Sequence, residues 1–422
     1  MPLNPLRQTL SNGLVVLAKQ SGTTPAVTIL VAVRAGAYYD PDGYEGTAAL
    51  AARVLDRGTV RYSADQIADE LDGRGASLSV MAGRHQLTVS ATCLAEDFDR
   101  TFALVADVVC RPRFDPAEVE TRRAELLTAI LQDDDDPGAV AVDVLMGRLY
   151  PNHPYGRRPR GTHQTVNRIT REHLVDFHNR WFTPQGATVV VVGDVNTDHV
   201  VSVAGEAFNA WQVPRLVEPP VLAIHPPLAR DFESVPMMDK AQADIAYAFV
   251  GVRRSEPDFY AAWVMNNALG QYALGGRLGD SIRERQGMAY YVYSTVDATV
   301  GEGPVMIRAG VSGADVDRTI ASIDQELMLV RRDGFTAKEL DESKSYLVGS
   351  IPRQLETNAG IAGFLLSAEF HALGADYDAR LPDFIRGVSP DEANRVARRL
   401  LDPSRAVIVV AGPYQKPNAA VA

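Results

Sequence analysis

Gly46-Thr47-Ala48-Ala49-Leu50-Ala51-Ala52-Arg53-Val54-Leu55-Asp56-Arg57-Gly58-Thr59 is the stretch around which the chain is organised. Alanine and leucine fill most positions between the two glycines, so the segment reads as a short helix that is apolar nearly all round. That is the pattern of a buried helix. A glycine on either side supplies the turns that set it apart. Upstream, Leu14-Val15-Val16-Leu17-Ala18 and residues 26–33 are β-rich runs separated by Gly22-Thr23-Thr24-Pro25, which reads as two adjacent strands of a sheet.

Downstream, Ser63 precedes a helical pattern over residues 64–71 and is placed to cap it. Residues 76–80 and 86–92 alternate apolar and polar, as half-buried strands do. Residues 96–109 read as a helix with Phe98, Phe102, Leu104, Val105 and Val108 on or near one face. The Phe114-Asp115-Pro116-Ala117-Glu118 start then opens a longer helix, running to about Gln132.

The same grammar returns in the second half. Asp99-Arg100-Thr101 recurs as Asp317-Arg318-Thr319, Phe114–Val119 recurs as Phe335–Leu340, and the strand 187–193 recurs as 406–412. The interval is nearly constant at about 220 residues, which is the mark of a duplication. Between the halves, Pro214, Pro219, Pro220, Pro226 and Pro227 make an extended, semi-rigid linker. The expected organisation is an N-terminal domain over 1–213, a linker over 214–231 and a C-terminal domain over 232–422. Each domain mixes an antiparallel-type sheet with several helices, and the class is α+β.

The bulk numbers agree. A chain of 422 residues suits two domains, and 46% hydrophobic with 23% charged residues is the profile of a globular protein with ample core. A net charge of −11 leaves no basic face for nucleic acid or for an anionic membrane surface. Cys93 and Cys110 sit in apolar surroundings, make no disulfide framework and could not alone ligate zinc. The start, Met-Pro-Leu-Asn-Pro-Leu-Arg-Gln, has no apolar core of signal-peptide length, so the cytoplasm is the default compartment. A leader already removed would make it the periplasm.

Several segments in order resemble the pitrilysin/insulinase family of zinc peptidases. They are the Gly46–Thr59 turn-helix-turn, His153-Pro154-Tyr155-Gly156 followed by Gly161-Thr162, Val191-Val192-Gly193-Asp194, Leu274-Gly275-Gly276-Arg277-Leu278, and Ile282 through Tyr290. The resemblance implies two homologous α+β halves closing as a clamshell around peptides. It also implies an inverted zinc motif, H-x-x-E-H, on the first short helix. Here Ala49 and Arg53 stand where the two histidines would, and Ala52 where the general-base glutamate would. Ala129 falls at the position of the later glutamate ligand, with Glu125 one turn away and turned elsewhere. Alanine cannot ligate, and Arg53 puts a fixed positive charge where a dication would sit. No metal is expected in this chain.

One functional pair survives the comparison. Active members use an arginine and a tyrosine in the second half to hold the substrate backbone and stabilise the tetrahedral oxyanion, and Arg283 and Tyr290 match that spacing. The plainer reading makes Arg283 a surface helix residue and Tyr290 a strand-packing side chain. Tyr291 should point to the opposite sheet face. Elsewhere, His173 and His178 do not share a helix face, Asp133–Asp136 lacks the spaced ligands of a calcium loop, and His153 and His163 read as turn residues.

Two functional expectations follow. In some bacterial and organellar members of the family, one chain carries the zinc motif and a second, lacking it, completes the active enzyme. This sequence resembles the second kind: a non-catalytic subunit of a heterodimeric zinc metallopeptidase, supplying Arg283 and Tyr290 to a partner that holds the zinc. The alternative is a catalytically inactive scaffold or peptide-binding protein of the same fold. As a stand-alone homodimer it would bind peptides by strand addition.

Overall fold

The computed structural model describes residues 2–22, 24–211, 222–271 and 276–415. The first half begins with β1 (Leu6–Thr9), β2 (Val15–Gln20), β3 (Ala26–Val33), α1 (Thr47–Val54), α2 (Ala64–Asp72), β4 (Ser77–Ala82) and β5 (Leu87–Leu94). It continues with α3 (Phe98–Cys110), α4 (Pro116–Asp135), α5 (Pro137–Leu149), α6 (His163–Arg168), α7 (Arg171–Trp181), β6 (Ala187–Gly193) and α8 (Thr197–Phe208). The second half opens with β7 (Asp231–Pro236), β8 (Ala243–Val250), α9 (Phe259–Asn266), β9 (Ala289–Val296) and β10 (Pro304–Val311). It closes with α10 (Val316–Asp333), α11 (Ala337–Gln354), α12 (Asn358–Phe370), α13 (Tyr377–Arg386), α14 (Pro390–Leu400) and β11 (Val407–Gly412).

These elements build two sheets of one design. The first has the order β1-β2-β6-β3-β5-β4 and the second β7-β11-β8-β10-β9. Apart from the extra β1, the two orders correspond strand for strand. In both, the outer strand before the central one pairs parallel (β2 with β6, β7 with β11), and the remaining pairs are antiparallel. The fold is α+β, with the duplication that the repeated segments imply.

The chain divides into two compact units that are not contiguous in sequence. One comprises Met1–Leu131, Arg158–Pro220 and Pro352–Ala379; the other comprises Gln132–Arg157, Val221–Ile351 and Arg380–Ala422. A division at a single linker therefore describes the sheets but not two of the helices. Its expected boundary at 213, and the linker up to residue 221, lie outside the described residues, and Asp231 already belongs to β7.

The reason lies in the central strands. Seven of eight residues in β3 and all six in β11 are buried, so both faces of each sheet must be covered. In the first unit, α3 lies against β3 and β5, while α12, from late in the sequence, lies against β3 and β6. Asn358 donates from its side chain to the Ala26 carbonyl (2.9 Å), and Arg7 pairs with Glu369 (2.8 Å), so α12 is tied at both ends. In the second unit, α5, from early in the sequence, lies against β8 and β11. Arg148 near its C-terminus forms ion pairs with Asp231 (2.6 Å) and Glu233 (3.0 Å) on β7. Each sheet is thus finished by a helix from the opposite half of the sequence.

Candidate functional site

The first-unit site is built around α1. Gly46, with φ of 97°, caps the helix in the left-handed region, and an added Cβ would come within 2.5 Å of the Arg160 carbonyl oxygen. The buried Asp40 carboxylate accepts from the N–H groups of Gly46 (2.7 Å) and Ala48 (2.8 Å), satisfying donors at the helix start. Gly161 presses against Glu45, and Thr165 donates to the Glu45 carbonyl at 2.8 Å. The Gly161-Thr162 segment thus clamps the turn that starts α1.

At the other end, Thr59 is fully buried. Its hydroxyl donates to Asp107 on α3 (2.6 Å) and accepts from the N–H groups of Arg61 (3.1 Å) and Tyr62 (3.0 Å). Both ends of α1 are thus held by buried polar contacts.

Its side chains are not those of a metal site. Ala52 and Arg53 line a cavity of about 260 Å³ with Asp56, Arg57, Arg122, Glu125 and part of β4. The structure corrects the orientation expected of Glu125, which lines this cavity. It lies one turn before Ala129 on the same face of α4, and helical side chains lean toward the N-terminus, so the longer Glu125 is the one that reaches it. Half-buried Ala129 is not part of the lining. Asp56 is 3.2 Å from Arg57, and Glu125 is 2.5 Å from Arg122, so both carboxylates are committed to guanidiniums. Burial raises the Asp56 pKa, with Arg57 opposing. With Ala49, Ala52, Arg53 and Ala129 offering no donor, this residue set does not fit a zinc ion.

The second-unit site lies where a π-helical turn, Gly279–Arg285, meets β9. Ser281 and Ile282 are buried and fix the turn, which leaves Arg283 exposed. Gly287, with φ of 64°, ends it by donating to the Arg283 carbonyl (3.0 Å). Along β9, Tyr291 pairs with Gly310 but Ala289 with Val311, so Tyr290 is the extra residue of a β-bulge. Tyr290 is 64% exposed, and neither its side chain nor that of Arg283 makes a hydrogen bond or ion pair with another described residue.

Tyr291 behaves oppositely. Its hydroxyl donates to the buried Asp244 carboxylate, which also lies 3.5 Å from Arg308, and burial together with Asp244 raises its pKa. Just upstream, Arg277 is anchored by Glu339 and by the Gly334 carbonyl (2.9 Å). Leu274 and Gly275 of the same segment lie outside the described residues.

Comparison with known proteins decides the family. Residues 15–163 match the profile of Insulinase (Peptidase family M16), and residues 168–347 match that of the Peptidase M16 inactive domain. An uncharacterized zinc protease of Mycobacterium tuberculosis is 30% identical over 430 residues, covering 98% of this chain and 94% of that protein. The chain belongs to the M16 (insulinase) peptidase family. A Helicobacter pylori protein named non-peptidase homolog YmxG is 24% identical, covering 90% of this chain and 87% of its own length. The crystal structure of a peptidase M16 inactive domain from Pseudomonas fluorescens superposes with a TM-score of 0.91 at 26% identity, covering 98% of this chain and all of that one.

Within this M16 chain the remaining candidates serve structure. His178 donates to the Val109 carbonyl (2.8 Å) and stacks on Phe182, and burial pushes its pKa down to about 4. His173 accepts from Thr170 N–H in a helix cap. His153 accepts from Tyr155 N–H (3.1 Å), and the Tyr155 hydroxyl accepts from Gly301 N–H (2.9 Å), bracing the β9–β10 connection. Asp136 caps α5. Cys93 is buried, and burial pushes the half-buried Cys110 thiol up to about 12, leaving it unreactive. No group of three metal-ligating side chains occurs among the described residues, and no helix there is long and apolar enough to cross a membrane.

Proposed function

We propose that this M16 chain is the non-catalytic subunit of a heterodimeric zinc metallopeptidase, whose partner chain carries the zinc motif and the metal. The observation that carries this reading is the pairing of two facts. The first-unit helix keeps its glycine and threonine clamps while losing every ligand, and the second unit keeps Arg283 and Tyr290 exposed and uncommitted. An uncommitted guanidinium and a phenol are suited to donate hydrogen bonds to a peptide carbonyl oxygen as charge develops on it. A structural role would favour tying them down, as Arg277 and Tyr291 are.

In this reading the chain needs no cofactor of its own, and it forms a homodimer only when the partner is absent. Mixing this chain with a zinc-motif homologue from the same cell tests it. Peptide hydrolysis should appear in the mixture and not with this chain alone; hydrolysis by this chain alone would refute it. The second reading, an inactive peptide-binding or scaffold protein, draws on β4. This strand is the outer one of its sheet, with Met81 71% exposed, and offers an open edge for strand addition. Peptide binding with no activity in any mixture would favour it.

A further inference from the structure

The cavity beside α1 holds a feature that the trans-acting reading does not use. Three guanidiniums, from Arg53, Arg57 and Arg122, line it against two carboxylates, from Asp56 and Glu125. Arg57 is engaged by Asp56, and Arg122 by Glu118 (3.4 Å) and Glu125. The Arg53 side chain is half-buried and has no ion-pair or hydrogen-bond partner among the described residues. A fixed cation therefore faces an open space large enough for a side chain, in a chain whose total charge is −11.

The cavity wall also includes residues Leu78, Ser79 and Val80 of β4. These belong to the outer strand, whose residues alternate between exposed and half-buried. An extended peptide reaching this edge would bring a side chain or terminus within range of Arg53.

We propose that the degenerate metal-motif cavity is a carboxylate-binding pocket, in which Arg53 receives the acidic group of an extended peptide. The positive charge at the motif position is retained in a new form, as a guanidinium that can grip a carboxylate through two parallel N–H donors. The pocket lies wholly in the first unit and works without a peptidase partner. Its test is therefore separate from that of the trans-acting site.

The test is fluorescence anisotropy with this chain alone and a labelled, short, β-prone peptide in four forms: with a central Glu or Gln, each with a free or amidated C-terminus. The amidated Glu peptide reports a side-chain carboxylate and the free-acid Gln peptide a terminal one. At least one of these should bind roughly tenfold tighter than the amidated Gln peptide, the scale of a charge-assisted hydrogen bond. That preference should vanish in Arg53→Ala and weaken in Arg53→Gln, with circular dichroism confirming the fold of each. Equal binding of all four peptides, binding of none, or a preference that survives both variants would overturn the proposal.

Discussion

At the residue scale, buried Thr59 and half-buried His178 set measurable properties. Thr59 serves Asp107 and two backbone N–H groups at once. Thr59→Val removes the hydroxyl, leaving the two N–H groups without their acceptor and Asp107 with Arg111 (2.7 Å) as its remaining close partner, so it should lower unfolding free energy by about 1–2 kcal/mol in urea titration. Thr59→Ser, which keeps the hydroxyl, should recover most of that loss. His178 sets a pH dependence. Its folded pKa, about 4, lies below the ordinary histidine value, so the unfolded chain binds the extra proton first. Stability is then full above about pH 6.5 and falls as pH drops toward 4, by about 3 kcal/mol from this group. His178→Phe should flatten that part of the stability–pH curve; an unchanged slope would remove His178 as its source.

Several residue roles are legible in the sequence itself, and the exceptions are instructive. The Gly46 and Gly58 turns, the cap at Ser63 and the helical periodicity of α3 follow from local rules of helix termini and amphipathic spacing. Spacing alone misplaces Glu125. It fixes a residue's face but not the lean of a long side chain, and that lean brings Glu125 into the cavity where Ala129 does not reach. The bulge at Tyr290 has no local signature either, because it exists only in the pairing of β9 with β10.

At the scale of elements, the clamp on α1 depends on close backbone approach. A Cβ at Gly161 would fall 2.0 Å from the Glu45 carbonyl oxygen, at a φ of 73° that disfavours side chains. Gly161→Ala should therefore cost about 2–3 kcal/mol and expose residues near the start of α1 to limited proteolysis before the rest of the chain. Proteolysis elsewhere first would place the weak point in another element. Strands and helices are legible because their periodicities are local. The exchange of α5 and α12 is not, since an apolar helix declares that it will be buried without declaring which sheet will bury it. Only long-range partners, such as Arg148 with Asp231 and Asn358 with Ala26, settle the choice.

At the scale of the whole molecule, this is a chain of the M16 family whose duplicated halves have diverged in opposite ways. The first holds Ala49, Ala52 and Arg53 on a helix clamped at both ends, and the second presents the side chains of Arg283 and Tyr290 without partners among the described residues. Removing one oxyanion donor typically costs on the order of 10²–10³ in kcat.

The most direct test measures kcat and complex formation together, in the mixture with a zinc-motif homologue, for the parent chain, Arg283→Ala and Tyr290→Phe. The account predicts that each variant still assembles while kcat falls by roughly a hundredfold or more. An unchanged kcat in both assembled variants would contradict the shared active site and leave the chain a scaffold.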